Sequence, residues 1–346
     1  MNTIHKHNYF RARRSERGLT LIEILVSLVI GLIIVGGVWT LLLNSRDSFN
    51  TSQNQAHMLD NARYALHAIG RDLRHAGSFG RLNFAQEELL LNADTMPNAS
   101  GDCGPSFYID VQRKVFGLDA TQVAASSSVD QCITPTTHVT GTDVLVVRYA
   151  EPTPVTDADV QASPNTVFVQ SDPTHGEFFQ AAADGSTTPA FAPDRNHRYV
   201  AHVYYLHPDT VAGDGIPSLR RISLGTDSTG PAMTDEILVS GVEDMQVQFG
   251  MNTCLSGTCD KTINSYVNAD NAAFGGDGWP TLAAATQIQA VKIWLMVRAE
   301  AAEIGLNAED DLYLINTGTA VTDPDSSIRH AVYSGVFNLR NAVNPF

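Results

Sequence analysis

Residues 17–43 read RGLTLIEILVSLVIGLIIVGGVWTLLL. From Ile24 to Leu43 the run holds twenty residues without a charge. A helix rises about 1.5 Å per residue, so this run spans about 30 Å, the hydrocarbon thickness of a bilayer. Ahead of it, residues 1–18 hold Lys6, Arg11, Arg13, Arg14 and Arg17 against Glu16. A basic flank stays in the cytoplasm, and the chain beyond the apolar run is carried outward. A secretory signal peptide has a shorter apolar region and small residues at its cleavage site. Here the run ends in Asn44-Ser45-Arg46-Asp47 instead. A plain signal anchor fits better, but Glu23 stands near the start of the run. A carboxylate toward the bilayer centre costs about 2.5–3.5 kcal/mol on insertion scales. The cost is smaller near the end of a segment, where a carboxylate can snorkel to the interface, yet such a residue still invites a functional explanation.

Helical patterning continues beyond Leu43. Leu59, Ala62, Leu66, Ile69 and Leu73 stand at spacings of 3, 4, 3 and 4, which makes one apolar stripe. Asp60, Arg63, His67, Arg71 and Arg74 occupy the opposite face, and Asp72 and Arg74 read as helix-surface charges. No proline occurs from Leu19 to Ala76, and Gly77 and Gly80 supply stop signals. The spacing predicts one helix of about 55–58 residues, about 85 Å long. Gly31, Gly36 and Gly37 in its first half allow close helix packing or a local loosening.

The segment Arg17-Gly18-Leu19-Thr20-Leu21-Ile22-Glu23 resembles the type IV pilin signal: a basic leader, a glycine, an apolar residue, then Thr-Leu-Ile-Glu and a long apolar helix. That resemblance implies cleavage after Gly18 by a membrane-embedded prepilin peptidase and N-methylation of the new terminus at Leu19. Phenylalanine is commoner after the cut, so Leu19 departs from the pattern. Glu23 would then attract the terminal amine of a neighbouring subunit. Residues 55–80, QAHMLDNARYALHAIGRDLRHAGSFG, resemble the PilW branch of minor pilins through Asn61–Leu66, Arg71–Arg74, Ala76-Gly77 and Phe79. The tail from His330 to Asn341 resembles that family's closing strand. The likeness covers residues 17–80, is weaker at Ile288–Arg298 and the C-terminus, and is absent between.

After Gly80 the patterning turns to alternation. Val291, Ile293, Leu295 and Val297 share one strand face, and Lys292, Trp294, Met296 and Arg298 the other. Further strands are expected at Val144–Tyr149, Val167–Val169, Tyr199–Leu206, Leu219–Leu224, Ile237–Val239, Met245–Phe249, Leu312–Ile315 and Val332–Leu339. Long polar loops are expected at 92–106, 119–142, 150–165, 171–197, 207–217, 225–235, 251–280 and 316–328. The expected fold class is α+β and pilin-like. A long N-terminal helix, half transmembrane and half amphipathic, packs on an antiparallel sheet, with extra strands or a second small sheet. The expected divisions are a cleaved leader at 1–18, a membrane or filament-core helix at 19–43, its amphipathic continuation at 44–76 and a β-rich head at 77–346. The stripe Leu59, Ala62, Leu66, Ile69 and Leu73 would hold the head on the helix.

Cys103, Cys132, Cys254 and Cys259 are an even set in an exported chain, which favours disulfides. Three pairings are open. Cys103–Cys132 with Cys254–Cys259 is preferred, because each bridge closes a local loop. Zinc is disfavoured: there is no Cys-x-x-Cys, and no histidine lies beside the cysteines at the usual spacing. His197, His202 and His207 would alternate faces on a strand, and the run Asn268–Gly278 lacks the spacing of a calcium loop. Formal charge is −15, and loss of residues 1–18 makes it −19, a poor match for nucleic acid. No nucleotide-binding or hydrolase motif occurs, so neither enzyme activity nor a cofactor or metal is expected. Implied partners are the prepilin peptidase, other minor pilins, the major pilin, an inner-membrane assembly platform and a tip adhesin. The implied location is the inner membrane of a Gram-negative bacterium, then a surface filament. The alternatives are a type II secretion pseudopilin of the J type and a tip adhesin with ligand-binding loops.

Overall fold

Helix α1 runs unbroken from Leu21 to His75, 55 residues. Thr20 caps its start: the Thr20 hydroxyl accepts from the Glu23 N–H at 3.3 Å, and the Thr20 carbonyl accepts from the N–H groups of Glu23 and Ile24. The chain is seen in a computed structural model. It describes residues 18–341 except 83–89, 92–95, 105–106, 112, 124–128, 130, 135, 174, 182–194, 254–261, 271–285, 304–305, 307–311, 316–318 and 323–326. The basic leader up to Arg17, the expected Cys254–Cys259 bridge and positions 271–278 of the candidate calcium loop lie outside the described residues.

Two compact units meet between Ser52 and Gln53. In the first, the described residues from Leu21 onward are all helix. This helix is long and apolar enough to cross a membrane, with a mean hydropathy of 2.7 over its most apolar stretch. Leu19 to Leu43 are exposed apart from half-buried Gly31.

In the second unit α1 packs on two sheets. Its buried face is Met58, Ala62, Ala65, Ile69, Asp72 and Leu73, continued by Ala76 just past the helix. Leu59 and Leu66 are half-buried at the margin of this face. The covered stripe is thus turned slightly from the one expected, because Met58 and Ala65 sit at its centre. At Gly70 the helix approaches Phe337 so closely that a Cβ would run into its ring. The helix stops where Gly77 and Gly80 adopt φ of 73° and 71°.

The strands are β1 (Leu90–Leu91), β2 (Val115–Leu118), β3 (Val144–Ala150), β4 (Val167–Ser171), β5 (Gly176–Gln180), β6 (Asn196–His207), β7 (Ser218–Thr226), β8 (Pro231–Ser240), β9 (Val242–Thr253), β10 (Ser265–Asn268), β11 (Thr286–Arg298), β12 (Leu312–Ile315), β13 (Thr319–Thr322) and β14 (His330–Asn338). Two short helices, α2 (Ala120–Val123) and α3 (Asp157–Gln161), lie between strands. Among the described residues, β1 to β8 form one sheet in the order β1-β5-β4-β6-β3-β2, with β7 joined to β6 and β8 to β7. A second sheet runs β10-β9-β11-β14, and β12 pairs with β13. All pairings are antiparallel except β1 with β5.

Alternation along the strands explains the layering. Leu145, Val147 and Tyr149 of β3, Tyr204 and Leu206 of β6, Val247 and Phe249 of β9, and Ile293 and Leu295 of β11 share a core with the buried face of α1. Both larger sheets therefore face the helix. The opposite face of the first sheet, with Val144, Val146, Tyr199, Ala201 and Val203, builds a second core with Phe79, Tyr108, Phe116 and Cys103. Cys103 is joined to Cys132 and fastens the covering segment over that face. Several elements give no signal in the sequence, each for a local reason. The strand β2 is only four residues long and is buried on both faces, so it shows no alternation. The strands β5, β10 and β13, the start of β8 and the helices α2 and α3 fall inside stretches expected to be loops, because they are short and flanked by polar turns.

Candidate functional site

Gly18, Leu19 and Glu23 sit at the free end of α1. Only Leu19 and Thr20 separate Gly18 from the first helical residue, Leu21. Glu23 is the acidic residue of the first turn, where a carboxylate complements the positive end of the helix dipole. Leu19 and Glu23 are four residues apart, one turn along a helix. All three are exposed. No basic group shares this turn among the described residues.

The second constellation joins the helix to the head. Asp72, a surface charge by its sequence context, is 3% exposed. Tyr149 of β3 donates its hydroxyl to Asp72 Oδ1 at 2.9 Å. Asp72 Oδ2 meets His202 Nδ1 at 2.5 Å and accepts from the Tyr204 hydroxyl, both on β6. Burial pushes the Asp72 carboxyl up. The hydrogen bond and charge of His202 and the hydroxyls of Tyr204 and Tyr149 outweigh that and hold it below the usual carboxylate value. An ionised Asp72 only accepts, so His202 Nδ1 is the donor. Burial and the Asp72 charge push both tyrosines upward, so their protons stay in place. One helix carboxylate thus gathers two strands. A signal for this was present: Met58, Ala62, Ala65, Ile69, Asp72 and Ala76 keep the helical spacing, so Asp72 falls within the buried stripe. Arg74, by contrast, is exposed as expected.

A second buried charge holds the covering segment. Arg148 of β3 is fully buried and donates to the carbonyls of Arg113 and Phe107, each at 2.6 Å. Its guanidinium lies 4.5 Å from the Phe107 ring centroid and 5.3 Å from that of Phe116. Tyr199 donates to the Tyr108 carbonyl at 2.6 Å alongside it.

The three spaced histidines go separate ways. His197 Nδ1 meets the Glu151 carbonyl, His202 meets Asp72, and His207 Nδ1 bonds the main chain of Asp209. Among the described residues no group of three His, Cys, Asp or Glu is placed to hold a metal ion. The carboxylates of the 209–214 turn accept backbone N–H groups: Asp209 from Gly213 and Gly215, Asp214 from Thr210, Val211 and Ile216. They close the turn.

Comparison with known proteins gives two family matches. Residues 203–341 match the model of Type IV Pilus-assembly protein W, and residues 13–39 match the Prokaryotic N-terminal methylation motif. The first match runs from within β6 to just past β14, and the second spans the leader end, Gly18, Leu19, Glu23 and the apolar run as far as Trp39. Among solved structures, a type IV-like pilin from Thermus thermophilus, TTHA1219, is similar over 83% of this chain and 97% of its own. Its identity is 9% and its TM-score 0.34, a likeness too distant to carry an argument. No curated protein matches the chain. Pilins are structural subunits built on an N-terminal apolar helix, and that helix stands here ahead of a sheet-rich head. With the methylation motif over residues 13–39 and PilW sequence over residues 203–341, the matches support a type IV pilus minor pilin of the PilW kind.

Proposed function

We propose that the chain is inserted in the inner membrane by Leu19–Leu43 with its head in the periplasm, is cut after Gly18 by a prepilin peptidase and is methylated at Leu19. It then joins other minor pilins in a complex that primes filament assembly and stays at the tip. The observation that carries this reading is α1 itself. One capped helix begins two residues after Leu19 and holds an uncovered apolar half ahead of a half that packs on the head.

Cleavage has a direct electrostatic consequence. It removes a segment with five Lys or Arg and one Glu, and it leaves a cationic amine on Leu19. That amine sits at the positive end of the helix dipole, where a cation is disfavoured. A carboxylate from the corresponding turn of a neighbouring helix relieves the conflict. In a low-dielectric helix bundle the pair also fixes axial register, since a slip leaves two charges unpaired.

Deleting the chain tests the priming role. Surface filaments should fall to a small fraction of the parental number, while major pilin in the membrane stays at its normal level. Re-expression should restore the filaments. Undiminished filaments in the deletion strain would overturn the priming role.

A further inference from the structure

We infer that the solvent face of α1 between Asp60 and Arg74 is a docking surface for a carboxylate-bearing subunit of pilin type. This rests on the proposed assembly role and adds to it the face and the chemistry of one contact.

Helical geometry sets the face. At 3.6 residues per turn, Arg63, Tyr64, His67, Arg71 and Arg74 project opposite to Met58, Ala62, Ala65, Ile69 and Ala76. All five are exposed, while the opposing five are buried. This is the single exposed helix face among the described residues that carries three arginines.

Pairing sets these arginines apart from five others in the head. Arg113, Arg220, Arg221, Arg298 and Arg329 each hold a carboxylate of the head, through Asp110, Asp235, Glu236, Glu243 and Glu303. Among the described residues, Arg63, Arg71 and Arg74 are in no ion pair. They remain so in a chain whose formal charge without residues 1–18 is −19. The helix dipole gives a local reason for Arg74 and His75, which lie in the last turn. It gives none for Arg63, about three turns earlier. Nor does it account for Tyr64, whose bulky ring is 56% exposed between Arg63 and His67. Arginine and tyrosine are the residues in which binding energy concentrates at protein interfaces. A flat guanidinium row flanking an aromatic ring suits carboxylates held in a fixed array, which it can grip two oxygens at a time.

The occupant is set by charge. A carboxylate-rich protein surface complements the row, and a second subunit as acidic as this chain, whose formal charge is −15, would offer one.

A photo-reactive phenylalanine analogue at Tyr64, in the full-length chain in its producing cells, tests the inference. Irradiation should link it to another pilin-type subunit, and mass spectrometry should place the link beside Asp or Glu residues. Changing Arg63, Arg71 and Arg74 together to Glu should lower the yield about tenfold, the combined factor expected of three exposed charge pairs. Changing all three to Lys keeps the charge but not the two-oxygen grip, and should lower it by less than the change to Glu. In isolated membranes the yield should fall as salt is raised to about 1 M, where screening acts within about 3 Å. Leader removal and membrane level, measured in every variant, report folding. Links to lipid, nucleic acid or a non-pilin protein, no link at all, or a yield indifferent to charge reversal would overturn the inference. A chain that enters filaments yet gives no subunit link sinks this contact alone, whereas a chain never found in filaments sinks the assembly role.

Discussion

Replacing Asp72 with Ala should destabilise the head by about 3–5 kcal/mol, the usual cost of breaking a buried charged network by removing one partner. The change leaves the Tyr149 and Tyr204 hydroxyls and His202 Nδ1 without their acceptor in a site where water does not replace it. Domains of this kind are stable by about 5–15 kcal/mol, so the loss is a large fraction of the total. The melting temperature should fall by about 10 °C at neutral pH. Asn at the same position keeps one acceptor oxygen and should cost less. The pH dependence identifies the cause. The folded Asp72 carboxyl is held below its unfolded value of 3.8. Its contribution is complete above that value and fades as pH falls through the lowered folded value. Wild type and Asp72→Ala should therefore differ most at neutral pH and converge only as pH falls below 3.8 and through the lowered folded value. Thermal unfolding of the two chains across pH measures this. An equal gap in strong acid and at neutral pH would show that lost packing, and not the carboxylate, sets the difference.

Glu23→Val should leave membrane insertion and head folding intact and remove the chain from surface filaments. The substitution makes the apolar run more continuous, so insertion is not impaired. On the proposed assembly, what it removes is the partner for a cationic terminus in a filament core. An unpaired charge there costs several kcal/mol, and about 1.4 kcal/mol is a tenfold change in equilibrium. The amount of this chain in sheared filaments should drop by about two orders of magnitude on that scale. Normal incorporation of the Val variant would show that Glu23 is dispensable and serves only to start the helix.

The N-terminal half of this architecture was written in the sequence because its signals are local and long. Twenty uncharged residues and an apolar helical period extend over about fifteen turns, and the observed helix, Leu21–His75, ends at the expected glycines. The strands β3, β6, β9 and β11 were equally readable, since one face of each meets the helix core and alternation survives. Where both faces are covered the pattern is lost, as in β2, whose Val115 joins the helix core and whose Phe116 and Leu118 join the second core. The buried charges were harder to read. Asp72 looks like one more polar residue in Arg-Asp-Leu-Arg until Tyr149, His202 and Tyr204 are brought to it from residues more than seventy positions away. Arg148 reads as a strand residue until Phe107 and Phe116 close over it. No local rule encodes such partners. The proposed processing residues Gly18, Leu19 and Glu23 are a signal of the opposite kind: they are read from order along the chain and need no distant neighbour.

The most direct measurement is the intact mass of the mature chain recovered from cells with an active prepilin peptidase. The expected mass is that of residues 19–346, beginning at Leu19, with one added methyl group and two hydrogens removed for each disulfide formed, the Cys103–Cys132 bridge among them. Recovery of a chain that retains residues 1–18 would contradict a pilin built to assemble through its freed N-terminus.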